Sequence, residues 1–291
     1  MERIMDRRDF LRHTAAGLAA GWGASALAQD TATKLTATTV RAIGNTGVTC
    51  TLLGMGTGVK SWNGSSELNR KGREATEAML EHAYAKGIRY FDMADMYGIH
   101  QYMQAVLKRS VKREEVTLLT KVVSKEGPQA QADLERFRKE LDTDYLDMVL
   151  MHCMTDADWP TKMQPVMDVL AKAKADGVVK AHGVSCHSLD ALKRAAETDW
   201  VDVVLARINP FGVRMDAPAE EVVPVLRQLD AAGKGLLGMK ILGEGQVADK
   251  MAESMDFVLR LGCIDAMTIG FLTPDEVDGA VAQIDALAIP A

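Results

Sequence analysis

The 291-residue sequence lacks three features, and each absence excludes a class of protein. It has only four cysteines, all widely spaced, which excludes the dense disulfide framework of a small secreted scaffold. Its net charge is -6 and its lysines and arginines are dispersed, so no basic stripe is available for a nucleic acid. It also has no run of about 20 strongly apolar residues, so we expect no stable membrane span.

The first 28 residues differ in composition from the rest of the chain. The pair Arg7-Arg8, with Phe10 and Leu11 behind it, precedes a run rich in Ala and Gly that ends in Ala26-Leu27-Ala28. A positive segment, a weakly apolar segment and small residues before a cleavage point are the parts of a twin-arginine export signal. We therefore predict a signal over residues 1–28, recognised by the twin-arginine export machinery, and a periplasmic or secreted mature chain that begins at Gln29.

From Thr49 onward, short apolar runs alternate with amphipathic segments, as strands and crossover helices do in a parallel sheet. Strands are predicted over residues 51–55, 89–92, 116–120, 148–151, 181–185, 203–206, 235–239 and 266–269. Helices are predicted over residues 73–86, 101–108, 129–141, 165–176, 189–197, 222–232, 251–261 and 274–287. Eight such units favour a closed (β/α)₈ barrel over an open doubly wound sheet, and we predict one domain over residues 29–291.

Two short β-type runs, residues 40–43 and 48–51, flank the turn-forming cluster Gly44-Asn45-Thr46-Gly47. They predict a hairpin before the first barrel strand. We expect this hairpin to close the barrel floor, which places Gly56-Thr57-Gly58 at the opposite rim.

Ionisable residues lie at the ends of three consecutive predicted strands: Asp92, Lys121 and His152. Because active sites of such barrels lie at the C-terminal ends of the strands, we expect these side chains to converge. Asp92 and Lys121 can form a buried ion pair, which is costly to desolvate and seldom kept for stability alone. Tyr97 follows on the next loop and could reach Lys121, whose ammonium would lower the pKa of the phenol. His152 could hold a substrate oxygen by a hydrogen bond.

The segment Phe91-Asp92-Met93-Ala94-Asp95-Met96-Tyr97-Gly98 resembles the Phe-Asp-Thr-Ala-x-x-Tyr-Gly signature of the aldo-keto reductases. The resemblance extends to Leu119-Thr120-Lys121, Leu150-Met151-His152 and Gly183-Val184-Ser185. It implies reduction of an aldehyde or ketone by a hydride from NADP(H) or NAD(H). In that reaction Tyr97 protonates the carbonyl oxygen, Lys121 tunes Tyr97, and Asp92 fixes Lys121.

The same resemblance implies a set of residues that bind the cofactor. They are Gly56, Thr57, Gly58, Ser185, Cys186, Asn209, Met239, Lys240 and Glu276. Several positions depart from the family pattern: Cys186 replaces an Asn, Leu205 a Gln, and Met239 an aromatic residue that stacks on the nicotinamide in many members. The positions that grip the 2′-phosphate of NADP correspond to Gly270-Phe271 and Glu276, which supply no cation, so the choice of dinucleotide stays open.

Three points remain open at the barrel mouth. Trp62, on the loop after the first strand, is the candidate for a wall of the substrate pocket. The departures on the cofactor side, and a periplasm without an obvious source of reduced nicotinamide, favour a second hypothesis: a nucleotide-binding or vestigial barrel without catalysis. A third is a zinc site built from His152-Cys153 with His182, Cys186 and His187, although no carboxylate-bearing metal motif accompanies them.

Overall fold

Eight parallel strands close into a barrel in the computed structural model, which describes residues 34–290. The barrel strands are β3 (Leu53–Gly56), β4 (Tyr90–Asp92), β5 (Thr117–Val122), β6 (Leu146–Met154), β7 (Val179–Cys186), β8 (Val203–Arg207), β9 (Gly235–Met239) and β10 (Ala266–Gly270). They follow one another around the barrel in chain order, and β10 pairs with β3 to close it. The predicted (β/α)₈ architecture is confirmed.

The helices lie between the strands. In the described residues they are α1 (Arg73–Ala85), α2 (His100–Arg109), α3 (Gly127–Leu141), α4 (Trp159–Lys162), α5 (Gln164–Ala175), α6 (Leu189–Glu197), α7 (Ala219–Ala231), α8 (Met251–Arg260) and α9 (Pro274–Ala286). Only α4, a single turn too short to show a helical period, was not predicted. No helix within residues 34–290 is long and apolar enough to cross a membrane.

The predicted hairpin is present and lies against the barrel floor. Strands β1 (Val40–Ala42) and β2 (Thr49–Thr51) pair antiparallel. Ile43, Val48 and Cys50, at the turn end of this hairpin, join the apolar cluster inside the barrel. At the turn, Gly44 has a φ of +46°, and a Cβ there would lie 2.4 Å from the backbone nitrogen of Gly235. The close approach of the turn to β9 therefore requires glycine at this position.

Side chains alternate between the two faces of each strand and so form two apolar layers, one inside the barrel and one between the strands and the helices. Inward residues such as Tyr90, Leu119 and Leu205 fill the barrel, while their chain neighbours pack beneath the helices. Because the period is two, the residue two positions after an inward residue also faces inward. We call a set of eight inward residues near the ends of the strands the upper ring. Its members are Gly56, Asp92, Lys121, His152, Ser185, Arg207, Met239 and, one inward position before the end of β10, Thr268.

The predicted export signal and the domain boundary after Ala28 lie outside the described residues.

Candidate active site

The upper ring brings the four predicted catalytic side chains together. The Lys121 ammonium donates hydrogen bonds to Asp92 Oδ1, to the Met93 carbonyl oxygen at 2.8 Å and to Tyr97 Oη at 3.4 Å. The Tyr97 and His152 rings meet edge to face, with centroids 5.7 Å apart. Lys121 is only 1% exposed, so this contact is made away from solvent. The convergence predicted from the strand ends is therefore present.

The loop that carries Tyr97 is held from three directions. The Asn69 amide donates to the Tyr97 carbonyl oxygen at 2.9 Å, and Arg136 of α3 pairs with Asp95 at 2.7 Å. The ring of Tyr97 packs on Gly58, where a Cβ would lie 2.4 Å from the ring carbon Cζ. Gly58 thus provides the space that lets the phenol reach Lys121.

The electrostatics of the phenol differ from our prediction. Burial, followed by the negative charge of Asp92, raises the pKa of Tyr97 well above its usual value. Burial also lowers the pKa of Lys121, against the opposite effect of Asp92. The prediction of a lowered pKa for Tyr97 was wrong, because burial of the phenol, the larger effect, and the negative charge of Asp92 both raise it. Tyr97 therefore carries its proton at neutral pH.

His152 is a neutral imidazole with one nitrogen facing the mouth. Burial lowers its pKa to about 2, and the positive charge of Lys121 acts in the same direction. Its Nδ1 atom is buried and has no hydrogen-bond partner. An unpartnered buried N–H is rarer in proteins than an unpartnered acceptor, so we infer that the proton is on Nε2. The ring then presents an N–H to whatever occupies the mouth.

Several residues predicted to bind a cofactor also lie at the rim. Ser185 Oγ accepts a hydrogen bond from the Cys153 backbone nitrogen at 2.9 Å, which leaves its hydroxyl proton free to donate. Met239 lies in the upper ring. Lys240 follows it, and its ammonium pairs with Glu244 at 2.6 Å.

The residues after β3 support this rim. Thr57 Oγ1 donates to the Asp92 carbonyl oxygen at 2.8 Å and so ties β3 to the strand that carries the carboxylate. A Cβ on Gly56 would lie 3.0 Å from Thr268 Oγ1, so glycine here keeps the space beside that hydroxyl open.

In this structure the side chains of Cys186 and Asn209 are engaged elsewhere, and their part in cofactor binding stays a prediction. Cys186 follows the inward Ser185 by one position, so its thiol points into the layer beneath the helices. The Asn209 amide donates to the carbonyl oxygens of Val213 and Lys240, and its oxygen accepts from the Val213 and Phe211 nitrogens. Asn209 therefore organises the loop after β8.

Two further predictions fall on exposed positions. Glu276 lies in the first turn of α9, where its carboxylate accepts a hydrogen bond from the Leu272 nitrogen at 2.6 Å. Thr273 caps the same turn, so Glu276 acts in a capping arrangement, and its contact with a cofactor stays a prediction. Trp62 is 75% exposed and forms no packed pocket wall in this structure.

The sequence analysis missed a second polar cluster at the rim. Arg207, in the upper ring, pairs with Asp216 at 2.8 Å, and its other terminal nitrogen donates to His187 Nδ1. His187 Nε2 lies 3.5 Å from Cys153 Sγ. Arg207 directly follows the predicted strand 203–206, just as Lys121 and His152 directly follow theirs, so the same strand-end criterion fits it, but the sequence analysis did not apply the criterion there.

The zinc hypothesis is not supported. Within residues 34–290, no group of three or more His, Cys, Asp or Glu side chains could hold a metal ion. The proposed donors diverge, since His182 stacks on Trp200 with ring centroids 4.1 Å apart and Cys186 faces outward.

Comparisons with known proteins agree with this geometry. A model of the aldo/keto reductase family matches residues 53–259. The aldo-keto reductase yakc [NADP(+)] of Schizosaccharomyces pombe is 26% identical over 170 residues, 53% of this chain and 49% of the relative. The glycerol 2-dehydrogenase (NADP(+)) of Saccharomyces cerevisiae is 31% identical over 139 residues, 46% of this chain and 39% of the relative. The chain spans about half the length of the curated relatives it matches.

Solved structures show the same fold. An aldo-keto reductase from Bacillus halodurans superposes with a TM-score of 0.70 at 16% identity, covering 85% of this chain and 91% of that one. A Pseudomonas aeruginosa protein assigned to the aldo-keto reductases has a TM-score of 0.72 at 23% identity, covering 86% and 96%. At these identities the likeness concerns the fold alone.

The buried histidines predict a pH dependence of stability. Burial lowers the pKa of His152 to about 2, of His187 to about 3 and of His182 to about 4. Below about pH 6.5 the unfolded chain binds protons at these rings and the folded chain does not, so the free energy of unfolding falls as pH falls. Each histidine contributes at most about 1.4 kcal/mol per pH unit. Urea unfolding at pH 7.5, 6.5 and 5.5 measures the slope.

His182→Gln is the matched variant, because His182 lies away from the rim and its loss removes one of the three titrations. We expect a shallower slope than in the wild type. A stability that stays constant or rises from pH 7.5 to pH 5.5 would contradict the burial argument.

Proposed function

Because the chain belongs to the aldo/keto reductase family, we propose that it reduces an aldehyde or ketone to an alcohol with a hydride from a nicotinamide dinucleotide. One observation carries the proposal: Lys121 Nζ lies 3.4 Å from Tyr97 Oη beside the neutral ring of His152. A phenol, an ammonium and an imidazole at one rim suit proton transfer to a carbonyl oxygen. Two relatives with NADP(+) in their names support the class of cofactor.

The rim opposite these groups fits a nicotinamide. Ser185, Arg207, Met239 and Thr268 line that part of the upper ring. Arg207 Nε and Thr268 Oγ1 are buried without hydrogen-bond partners, and the Ser185 hydroxyl proton is free. A nicotinamide has apolar faces that a thioether can contact and a carboxamide that needs polar partners. When bound, it would supply the hydride.

The protein's own part in the reaction is to bind and protonate the carbonyl oxygen. His152 Nε2–H donates a hydrogen bond to that oxygen and polarises the carbonyl. As the carbon accepts the hydride, the oxygen takes the proton of the Tyr97 hydroxyl. The Lys121 ammonium then stabilises the phenolate left behind, and water later returns a proton to it. Asp92 and the Met93 carbonyl oxygen hold Lys121 in position.

Tyr97→Phe tests the proton donor, because it removes one hydroxyl and keeps the ring. We expect kcat for carbonyl reduction to fall about 10²- to 10⁴-fold, since a positioned proton donor contributes that much. Binding of the dinucleotide should change less than about twofold, a free-energy change well below 1 kcal/mol. Absorbance of the reduced cofactor, followed with a panel of aldehydes and ketones, measures the rate, and fluorescence measures binding.

Tyr102→Phe is the matched control, because Tyr102 lies on α2 against Arg73, away from the rim. It should leave kcat unchanged. A Tyr97→Phe variant as fast as the wild type would refute the assignment. A wild-type protein that binds the dinucleotide but reduces no carbonyl would favour a nucleotide-binding barrel without catalysis.

We also propose that residues 1–28 direct export by the twin-arginine pathway. The support is the sequence alone: Arg7-Arg8, then Phe10 and Leu11, then small residues up to Ala28. Export of folded proteins by this pathway suits a barrel that must acquire a cytoplasmic cofactor before it crosses the membrane.

Replacing Arg7 and Arg8 together by lysine should retain the protein in the cytoplasm, because the pathway reads the arginine pair rather than the charge. Cell fractionation measures the distribution, and the mass of the exported form should correspond to a chain beginning at Gln29. Arg12→Lys is the control and should be exported. Equal export of the double variant, or an uncleaved wild type found only in the cytoplasm, would contradict the proposal.

A further inference from the structure

Arg207 is held on two sides and has a buried donor, Nε–H, without a partner. One terminal nitrogen donates to Asp216 Oδ1 at 2.8 Å and the other donates to His187 Nδ1. Its Nε is buried without a hydrogen-bond partner. A guanidinium carries only N–H donors, so each of its nitrogens needs an acceptor atom. The buried Nε–H of Arg207 has none. Buried donors are rarely left unpaired in folded proteins, and a bound ligand is one means of pairing them.

His187 is suited to hold the guanidinium in place. Burial lowers its pKa to about 3, and the charge of Arg207 acts in the same direction. The ring is therefore neutral, and its Nδ1 accepts from Arg207 while Nε2–H faces Cys153 Sγ at 3.5 Å. With Asp216 on the other side, Arg207 has little freedom to seek an acceptor elsewhere.

The position of Arg207 in the upper ring indicates which bound group would supply the acceptor atom for its Nε–H. Asp92, Lys121 and His152 occupy three consecutive strands, β4 to β6, and make up the proton-transfer half of the ring. Arg207 and Met239 occupy β8 and β9, in the other half. A carbonyl protonated from one half must receive its hydride from a group lying against the other. Arg207 is the one charged member of the upper ring in that second half.

We propose that Arg207 orients the nicotinamide by donating its Nε–H to the carboxamide oxygen. This inference rests on the proposed function. The other candidates in this half are engaged or unsuited: the Lys240 ammonium pairs with Glu244 at 2.6 Å, Leu205 is apolar, and the thiol of Cys186 faces outward. The neutral Ser185 hydroxyl and Thr268 hydroxyl remain for the other edge of the carboxamide.

A charge at this place also distinguishes the two oxidation states of the ligand. The oxidised nicotinamide is a pyridinium and the reduced ring is neutral, so a nearby guanidinium repels only the oxidised form. Asp216 offsets part of this effect, but it lies on the terminal nitrogen rather than on Nε. The site should therefore favour the reduced dinucleotide, as a reductase requires.

The test compares ligands with and without the nicotinamide. Titration calorimetry would measure binding of the reduced dinucleotide, the oxidised dinucleotide, and ADP-ribose or its 2′-phosphate, in the wild type and in Arg207→Gln and Arg207→Lys. Arg214→Gln is the matched control, because Arg214 lies on the loop that follows β8 but pairs with Glu244 at the surface. ADP-ribose carries every group of the dinucleotide except the ring, so its binding also shows that each variant is folded.

In Arg207→Gln we expect the reduced dinucleotide to bind about tenfold or more weakly, as for loss of a charged hydrogen bond. ADP-ribose should change less than about twofold. The affinity ratio should shift toward the oxidised form by about tenfold. Arg207→Lys, which keeps the charge but not Nε, should retain the ratio and lose affinity, and Arg214→Gln should match the wild type.

Equal losses for ADP-ribose and dinucleotide would overturn the proposal, because Arg207 would then bind the phosphates or support the fold. So would unchanged binding of the reduced dinucleotide. If the wild type binds none of these ligands, the proposed function itself fails. A wild type that binds and reduces normally with no effect of Arg207→Gln rejects the role of Arg207 alone.

Discussion

The buried ion pair of Asp92 and Lys121 is the interaction on which the rest of the site depends. An ammonium has three N–H donors, and in this protein all three are used: by Asp92, by the Met93 carbonyl oxygen and by Tyr97 Oη. With Lys121 only 1% exposed, none of these partners can be replaced by water without opening the barrel mouth. The cost of desolvating the pair is therefore offset only while the geometry is kept. That requirement places the phenol of Tyr97 beside a fixed positive charge.

The barrel supplies this geometry through the period of its strands. Inward residues recur every second position, so each strand brings an inward residue near its end to the same ring, whatever the length of the loop that follows. One half of the ring carries Asp92, Lys121 and His152. The other half carries Arg207 and Met239, with a second carboxylate, Asp216, on the guanidinium. Each half of the ring therefore carries one paired cation, Lys121 beside a proton donor and Arg207 with a buried N–H that has no partner.

The sequence predicted the parts of this arrangement that follow from local patterns. Alternating hydrophobicity gave the eight strands, and a polar residue directly after a strand identified Lys121 and His152 as rim residues. The hairpin was predictable because Gly44 and Gly47 mark a turn between two β-type runs. The outward orientation of the Cys186 side chain was also predictable from the sequence, because side chains alternate along a strand and Cys186 follows the inward Ser185.

Other features depend on distances that no pattern contains. Arg207 is different, because it directly follows its predicted strand as Lys121 and His152 do; what the sequence did not show is its pairing with Asp216 and His187. The capping role of Glu276 and the backbone hydrogen bonds of Asn209 depend on loop conformations. The pKa of Tyr97 depends on how deeply the phenol is buried and on how close Asp92 lies to it, and the sequence could suggest only that an ammonium was near.

The ion pair can be tested directly with a double-mutant cycle of Asp92→Asn and Lys121→Met, with the free energy of unfolding measured by urea denaturation at pH 7.5. We predict that each single variant loses about 3–5 kcal/mol, because it leaves one buried group without its partner. The double variant should lose less than the sum by at least about 2 kcal/mol, since it leaves neither charge unpaired. Losses that add within about 0.5 kcal/mol would show that the two side chains do not depend on each other and would contradict this account.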